Sequence, residues 1–98
     1  MDIKRITKKY ENKGLRTKYI QDKPGKIYKP HSHGKVKLYS IAGSVKIRRD
    51  NKEWQTINPG EEIIIKRHQV HEAIVGANGW EYIFAWDENE AKKYGIDS

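Results

Sequence analysis

Along much of the chain, apolar and polar side chains alternate with a period of two, the signature of strands that bury one face. Val36, Leu38 and Ser40 point one way and Lys37, Tyr39 and Ile41 the other. Val45 and Ile47 alternate with Lys46 and Arg48 up to a turn at Asp50-Asn51, and Trp54 and Thr56 follow on the return. Ile63 and Ile65 share a face with Ile64 opposite, the pattern of a strand covered on both sides. His71, Ala73 and Val75 oppose Glu72 and Ile74. Asn78-Gly79 is a two-residue hairpin signal, and beyond it Trp80, Tyr82, Phe84 and Trp86 fall on one face of a further strand.

Turn-forming residues punctuate these runs at Asn12-Lys13-Gly14, Pro24-Gly25, Pro30, Gly34, Ala42-Gly43, Asp50-Asn51, Asn58-Pro59-Gly60, Gly76 and Asn78-Gly79. The segments between them are about five to eight residues long, the length of strands in a sandwich or barrel. The end of the chain changes character. Asp87 reads as a helix N-cap with Glu90 as the carboxylate three residues on, and Gly95 as the stop. The expected organisation is one domain over residues 1–98: an arm over 1–13, an all-β barrel over 14–87 and a short helix over 88–95. The arm, with only Ile3, Ile6 and Tyr10 as apolar anchors, is expected either to cross to a partner or to fray.

Composition agrees with the pattern. Ninety-eight residues suffice for one hydrophobic core. The chain carries 13 Ile and 4 Val against 2 Leu, a β-branched bias that favours sheet over helix. The absence of cysteine excludes disulfide scaffolds, thiolate metal sites and cysteine nucleophiles. The longest apolar run is Ile63-Ile64-Ile65 and the first ten residues are charged, so neither a membrane span nor a secretory leader is expected, and a cytoplasmic location is. The net charge of +7 is uneven: residues 1–37 hold 12 Lys and Arg against 3 Asp and Glu. Such a stretch can attract phosphate backbones, but without an arginine cluster or interleaved aromatics it reads first as a solvated surface.

The four histidines carry the chemistry. Side chains at i and i+2 of a strand face the same way, so His31 and His33 can converge on one point, and His71 lies on a strand that can return to them. Three neutral imidazoles from neighbouring strands make a facial site for a divalent transition metal. His68, in the Arg67-His68-Gln69 turn, is placed at the mouth of such a site and outside the ligand set.

The stretch from Gly25 to His33 resembles the first motif of the cupin superfamily, G-x5-H-x-H-x3–4-E-x6-G, with Gly43 as its closing glycine. The stretch from Gly60 to His71 resembles the second, G-x5-P-x-G-x2-H-x3-N. The resemblance covers residues 14 to 87. It implies a jelly-roll (double-stranded β-helix) barrel, a homodimer, and a divalent transition metal (Fe, Ni, Zn, Cu or Mn) held inside the barrel. Some cupins of this pattern use three histidines to hold Fe(II) and activate dioxygen, so an oxygenase or an isomerase is among the implied activities.

The departures matter as much. Val36, Lys37 and Leu38 stand where the motif has its glutamate, Lys66 replaces the proline, His68 the internal glycine and Val75 the final asparagine. The metal role therefore carries over to His31, His33 and His71 only. Without the glutamate, three neutral ligands leave about +2 on a divalent ion. Lys35, Lys37 and Lys66 near the expected rim add to this, so the expected partner is a small anionic molecule. Tyr28, Tyr39 and Tyr82 are candidates for an inward hydroxyl, and Trp80, Phe84 and Trp86 for the pocket wall. Glu61 and Glu62 belong to an exposed turn, Glu72 faces away from His71, and there is neither a phosphate loop nor a Ser-His-Asp order. Two alternatives stand beside the metal reading: a non-catalytic cupin that binds a small ligand without metal, and a basic β-barrel that binds nucleic acid.

Overall fold

The computed structural model describes residues 2–96. Its elements in chain order are α1 (Ile3–Glu11), β1 (Arg16–Asp22), β2 (Ile27–His31), β3 (Val36–Arg49), β4 (Gln55–Ile57), β5 (Glu62–Ile65), β6 (His71–Trp86) and α2 (Glu88–Tyr94). All strand pairs are antiparallel, and the two long strands β3 and β6 pair with each other along most of their lengths. Their first and second halves belong to different layers. The start of β6 and the end of β3 are flanked by β2 and β4, whereas the end of β6 and the start of β3 are flanked by β1 and β5. The inward residues of both layers form one core that includes Leu38, Ile47, Ile63, Ile65, Val75, Trp80 and Phe84. This is the rolled jelly roll that the alternation and the resemblance implied, closed by a short C-terminal helix.

Several expected breaks are absent: Pro30 lies within β2 and Gly76 within β6. Ala42-Gly43 and Asn78-Gly79 lie inside β3 and β6, which run on as strands of 14 and 16 residues. A type I′ hairpin needs positive φ at both central residues. Asp50 (φ 55°) and Asn51 (φ 58°) meet that requirement and turn the chain, but only Gly79 of the other pair does, at 78°. Instead, residues 76–79 bulge opposite the single residue Ser44, where the sheet bends from one layer into the next. Gly43 and Gly79 make the bend: a Cβ on Gly43 would stand 2.0 Å from the Gly79 carbonyl oxygen.

The first residues, expected as an arm, are placed as a helix on the outer face of the chain's own sheet. Residues 3–11 are helical, capped by Asp2, whose carboxylate accepts from the Arg5 N–H at 3.2 Å. Ile3, Ile6 and Tyr10 follow helical spacing, and they cover the outer face of the second layer at Ile83 and Ala85. Tyr10 is 1% exposed, and its hydroxyl bonds the Glu62 carboxylate. At the other end Asp87 caps α2 as expected, accepting from the Asn89 and Glu90 N–H groups. Glu90 does not return the bond; it leaves the helix to pair with Arg67 and the Lys35 N–H. No described helix is long and apolar enough to cross a membrane.

Candidate metal centre

His31 is the last residue of β2 and His71 the first of β6, and the two are direct register partners. His33 lies two residues beyond the end of β2, in the loop before β3. That loop is held from both sides. The His33 carbonyl accepts from the His68 N–H at 2.9 Å, and the Gly34 N–H donates to the Gly95 carbonyl at 2.8 Å. Arg67 and Glu90, joined at 2.8 Å, tie the 66–70 turn to α2 beside it. The short return turn and the C-terminal helix thus position the third ring.

The three imidazoles meet. Ring centroids are 4.2 Å apart for His31 and His71, 4.7 Å for His33 and His71, and 5.4 Å for His31 and His33. One ligating nitrogen from each lies within 4.8 Å of the others. Each Nδ1 faces a backbone carbonyl: Lys29 at 2.6 Å for His31, Gly34 at 2.6 Å for His33 and Gln69 at 3.0 Å for His71. A carbonyl only accepts, so each Nδ1 carries the proton and each Nε2 keeps its lone pair. This is the outer support that metal-binding histidines use. His71 is held neutral as well: burial, followed by the neighbouring His31 and His33, lowers its pKa to about 4. The donor set therefore suits a divalent transition metal.

The rings open onto a cavity of about 40 Å³, lined by Tyr28, Val36, Leu38, Ile47, Ala73, Trp80, Tyr82 and Phe84 along with the three histidines. Such a space holds roughly three waters, so it takes an ion and a few ligand atoms. Tyr28 and His31 are three residues apart and would face opposite sides of a regular strand. A register shift between them, at Lys29-Pro30, turns both inward. The shift decides the direction of Tyr28, which strand parity left open. Tyr28 and Tyr82 reach the cavity, whereas Tyr39 lies on the outer face beneath α1. Trp80 stacks on Tyr82 at 3.7 Å and donates to the buried Ser40 hydroxyl at 3.0 Å.

Other expected positions fall elsewhere. Lys37 and Trp86 do not line the cavity; together with Lys13, Lys35 and Glu90 they border a separate outer recess of about 330 Å³. Lys35 and Lys66 are exposed and do not line the cavity either, so any preference for an anion must come from a bound cation. His68 is exposed, edge-on to Tyr94 at 5.2 Å, and its φ of 60° is the left-handed conformation for which the motif carries glycine. Glu72 points outward and pairs with Arg48 at 2.9 Å. Val36 and Leu38, at the motif's glutamate position, are wall residues, and no carboxylate lines the cavity.

The residue missed in the sequence is Asp22. Its side chain is 3% exposed and accepts from the Tyr28 hydroxyl at 2.6 Å. Its Asp22-x5-Tyr28 spacing carries no signal, because the two lie on different strands joined by a turn.

The sequence profile of the AraC-like ligand binding domain family matches residues 15–84. No curated protein matches the chain significantly. Among solved structures, KdgF from a Halomonas species is similar at 19% identity and a TM-score of 0.65, covering 72% of this chain and 67% of that one. A cupin-like protein from Thermotoga maritima is similar at 18% identity and a TM-score of 0.68, covering 76% and 57%. The DMSP lyase DddQ from Ruegeria pomeroyi is similar at 14% identity and a TM-score of 0.69, covering 76% and 39%. The chain thus spans about two thirds or less of the length of each of these proteins.

Proposed function

The chain belongs to the AraC-like ligand binding domain family, within the cupins, and from that premise we propose that it binds a small anionic molecule through a divalent transition metal held by His31, His33 and His71. The observation that supports this reading is the convergence of the three rings: one ligating nitrogen from each lies within 4.8 Å of the others, and a backbone carbonyl at each Nδ1 sets the ring. A divalent ion held by these histidines would supply a positive charge of about +2, offset by no cavity carboxylate among the described residues, and would favour an anionic oxygen. The chain's own residues orient and enclose the ligand. The carbonyl bonds fix the ring planes, and Val36, Leu38, Ile47 and Phe84 keep bulk water from the anion.

Elemental analysis of protein purified without a histidine tag, together with dialysis against Zn²⁺ or Fe²⁺, tests the reading. One tightly held ion per chain, lost in His31→Ala and His33→Ala, is the expected result. No uptake by folded protein overturns it. The missing glutamate and the largely apolar wall favour a second reading, a metal-free cupin that binds a small ligand. Equal ligand affinity with and without metal distinguishes it. Trp80, Tyr82 and Phe84 face the interior, so they are withdrawn from any platform on which nucleic-acid bases could stack. The proposal includes a homodimer: Ile27 and Ile74, 65% and 40% exposed, are register partners on the outer sheet face that a second copy would cover.

A further inference from the structure

The wall of the same cavity also carries a hydrogen-bond chain that runs through Tyr28 and Tyr82. Asp22 is a buried carboxylate, with Lys26 at 3.4 Å from its Oδ1. Such a carboxylate only accepts, so at 2.6 Å the Tyr28 hydroxyl must be the donor. The Tyr28 and Tyr82 oxygens are 3.3 Å apart. With the Tyr28 proton committed to Asp22, Tyr82 donates to the Tyr28 oxygen or to the Asp22 carboxylate behind it. The only proton of Tyr82 is then also committed, and the hydroxyls meet the cavity with lone pairs alone. Burial, then the bond to Asp22, raises the pKa of Tyr28, and burial, then the bond to Tyr28, raises that of Tyr82, so both keep their protons throughout the ordinary pH range.

The cavity wall therefore carries two unlike sets of groups. We propose that it selects a small hydroxy acid, whose carboxylate meets the metal and whose hydroxyl donates to Tyr82. This rests on the metal reading above and adds the ligand's second group. An aliphatic acid leaves the Tyr82 lone pairs unmatched in a site too small for many waters. A hydroxyl satisfies them and lengthens a chain whose members polarise one another. An ammonium is the poorer donor here, because Lys26 already offsets the charge of Asp22.

The test uses Zn²⁺-loaded protein and two matched pairs of acids, glycolate against acetate and 3-hydroxypropionate against propionate, with affinities read by calorimetry. In at least one pair the hydroxy acid should bind about 3- to 10-fold more tightly, the worth of one hydrogen bond. In Tyr82→Phe the members of that pair should bind alike. Asp22→Leu, which removes the acceptor and leaves a phenol proton free to point inward, should also reduce the preference, so the test survives if one variant fails to fold. Equal binding of both acids by the unaltered protein, or a preference that persists in both variants, overturns the inference and leaves the metal–anion reading intact. Tighter binding of β-alanine than of 3-hydroxypropionate overturns the assignment of a hydroxyl. If metal is taken up but no acid binds, the anion reading falls and the inference with it.

Discussion

Tyr82 and Ile83 are neighbours on β6, both buried, and they face two cores built to opposite rules. Ile83 points outward into a cluster of Tyr10, Ala85, Ile3, Ile6, Leu15, Tyr39 and Ile41, where α1 covers the sheet. Tyr82 points inward, to a wall that keeps a 40 Å³ space, three imidazoles and a directed hydroxyl chain. Strand parity separates them: one step along the chain passes from packing to chemistry. The difference teaches where each task is done. The outer cluster fills its volume and supplies stability, while the inner face gives up packing density to keep room and polar groups for a ligand.

The largest expected effect breaks the outer side alone. Ile83→Ala should destabilise the fold by about 2–5 kcal/mol in urea unfolding, a large share of the roughly 5–15 kcal/mol of a typical domain. Metal bound per folded molecule should not change. His71→Ala should do the reverse, lowering metal affinity by more than about 100-fold in a chelator competition, since even removing an outer partner of a metal ligand costs about 10- to 100-fold. If either variant impairs both properties alike, the two cores are not independent.

Acid sharpens the comparison. The His71 pKa is lowered from 6.5 to about 4, so the unfolded chain takes this proton first as pH falls. Stability of the metal-free protein that is present above pH 6.5 should decline between there and about 4, and flatten below. Urea midpoints at pH 7.5, 5.5 and 4.5 read the effect, and His71→Leu should flatten the profile by removing this group. The smallest effect lies outside both cores. His68→Gly relieves a left-handed φ and should raise stability by about 0.5–1 kcal/mol, less what the Tyr94 contact contributes, with metal affinity unchanged.

The pairing of His31 with His71 was legible from strand patterns, whereas His33 lies beyond the end of β2 and reaches the site through a loop that its strand spacing did not foretell. The inward face of β6 was legible too, since alternation alone sorts Trp80, Tyr82 and Phe84 from Glu81 and Ile83. The helix over residues 3–11 was not read from the sequence, because the excess of charge around Ile3, Ile6 and Tyr10 masked their helical spacing. Asn78-Gly79 misled for a different reason. The dipeptide permits a tight turn, but long-range pairing of Trp80 with both Asp22 and Gly43 decides whether the chain turns or bulges there. Lys37 and Tyr39 were set on the outer face by the same alternation that set Val36 and Leu38 inside; a rim position would have needed them to leave it.

By itself the sequence determined which residues could share a face, that the architecture would be sheet, and that His31, His33 and His71 were available to one site. These follow from side-chain periods of the strand and from chemical type, which need no partner. Tertiary structure alone decided that the bulge at Lys29-Pro30 would turn Tyr28 inward, that Asp22 would meet it from another strand, and that α2 would brace the His33 loop. Those depend on register between segments far apart in the chain. Register is set by the whole packed sheet, because each pairing is stable only when every inward face is buried together.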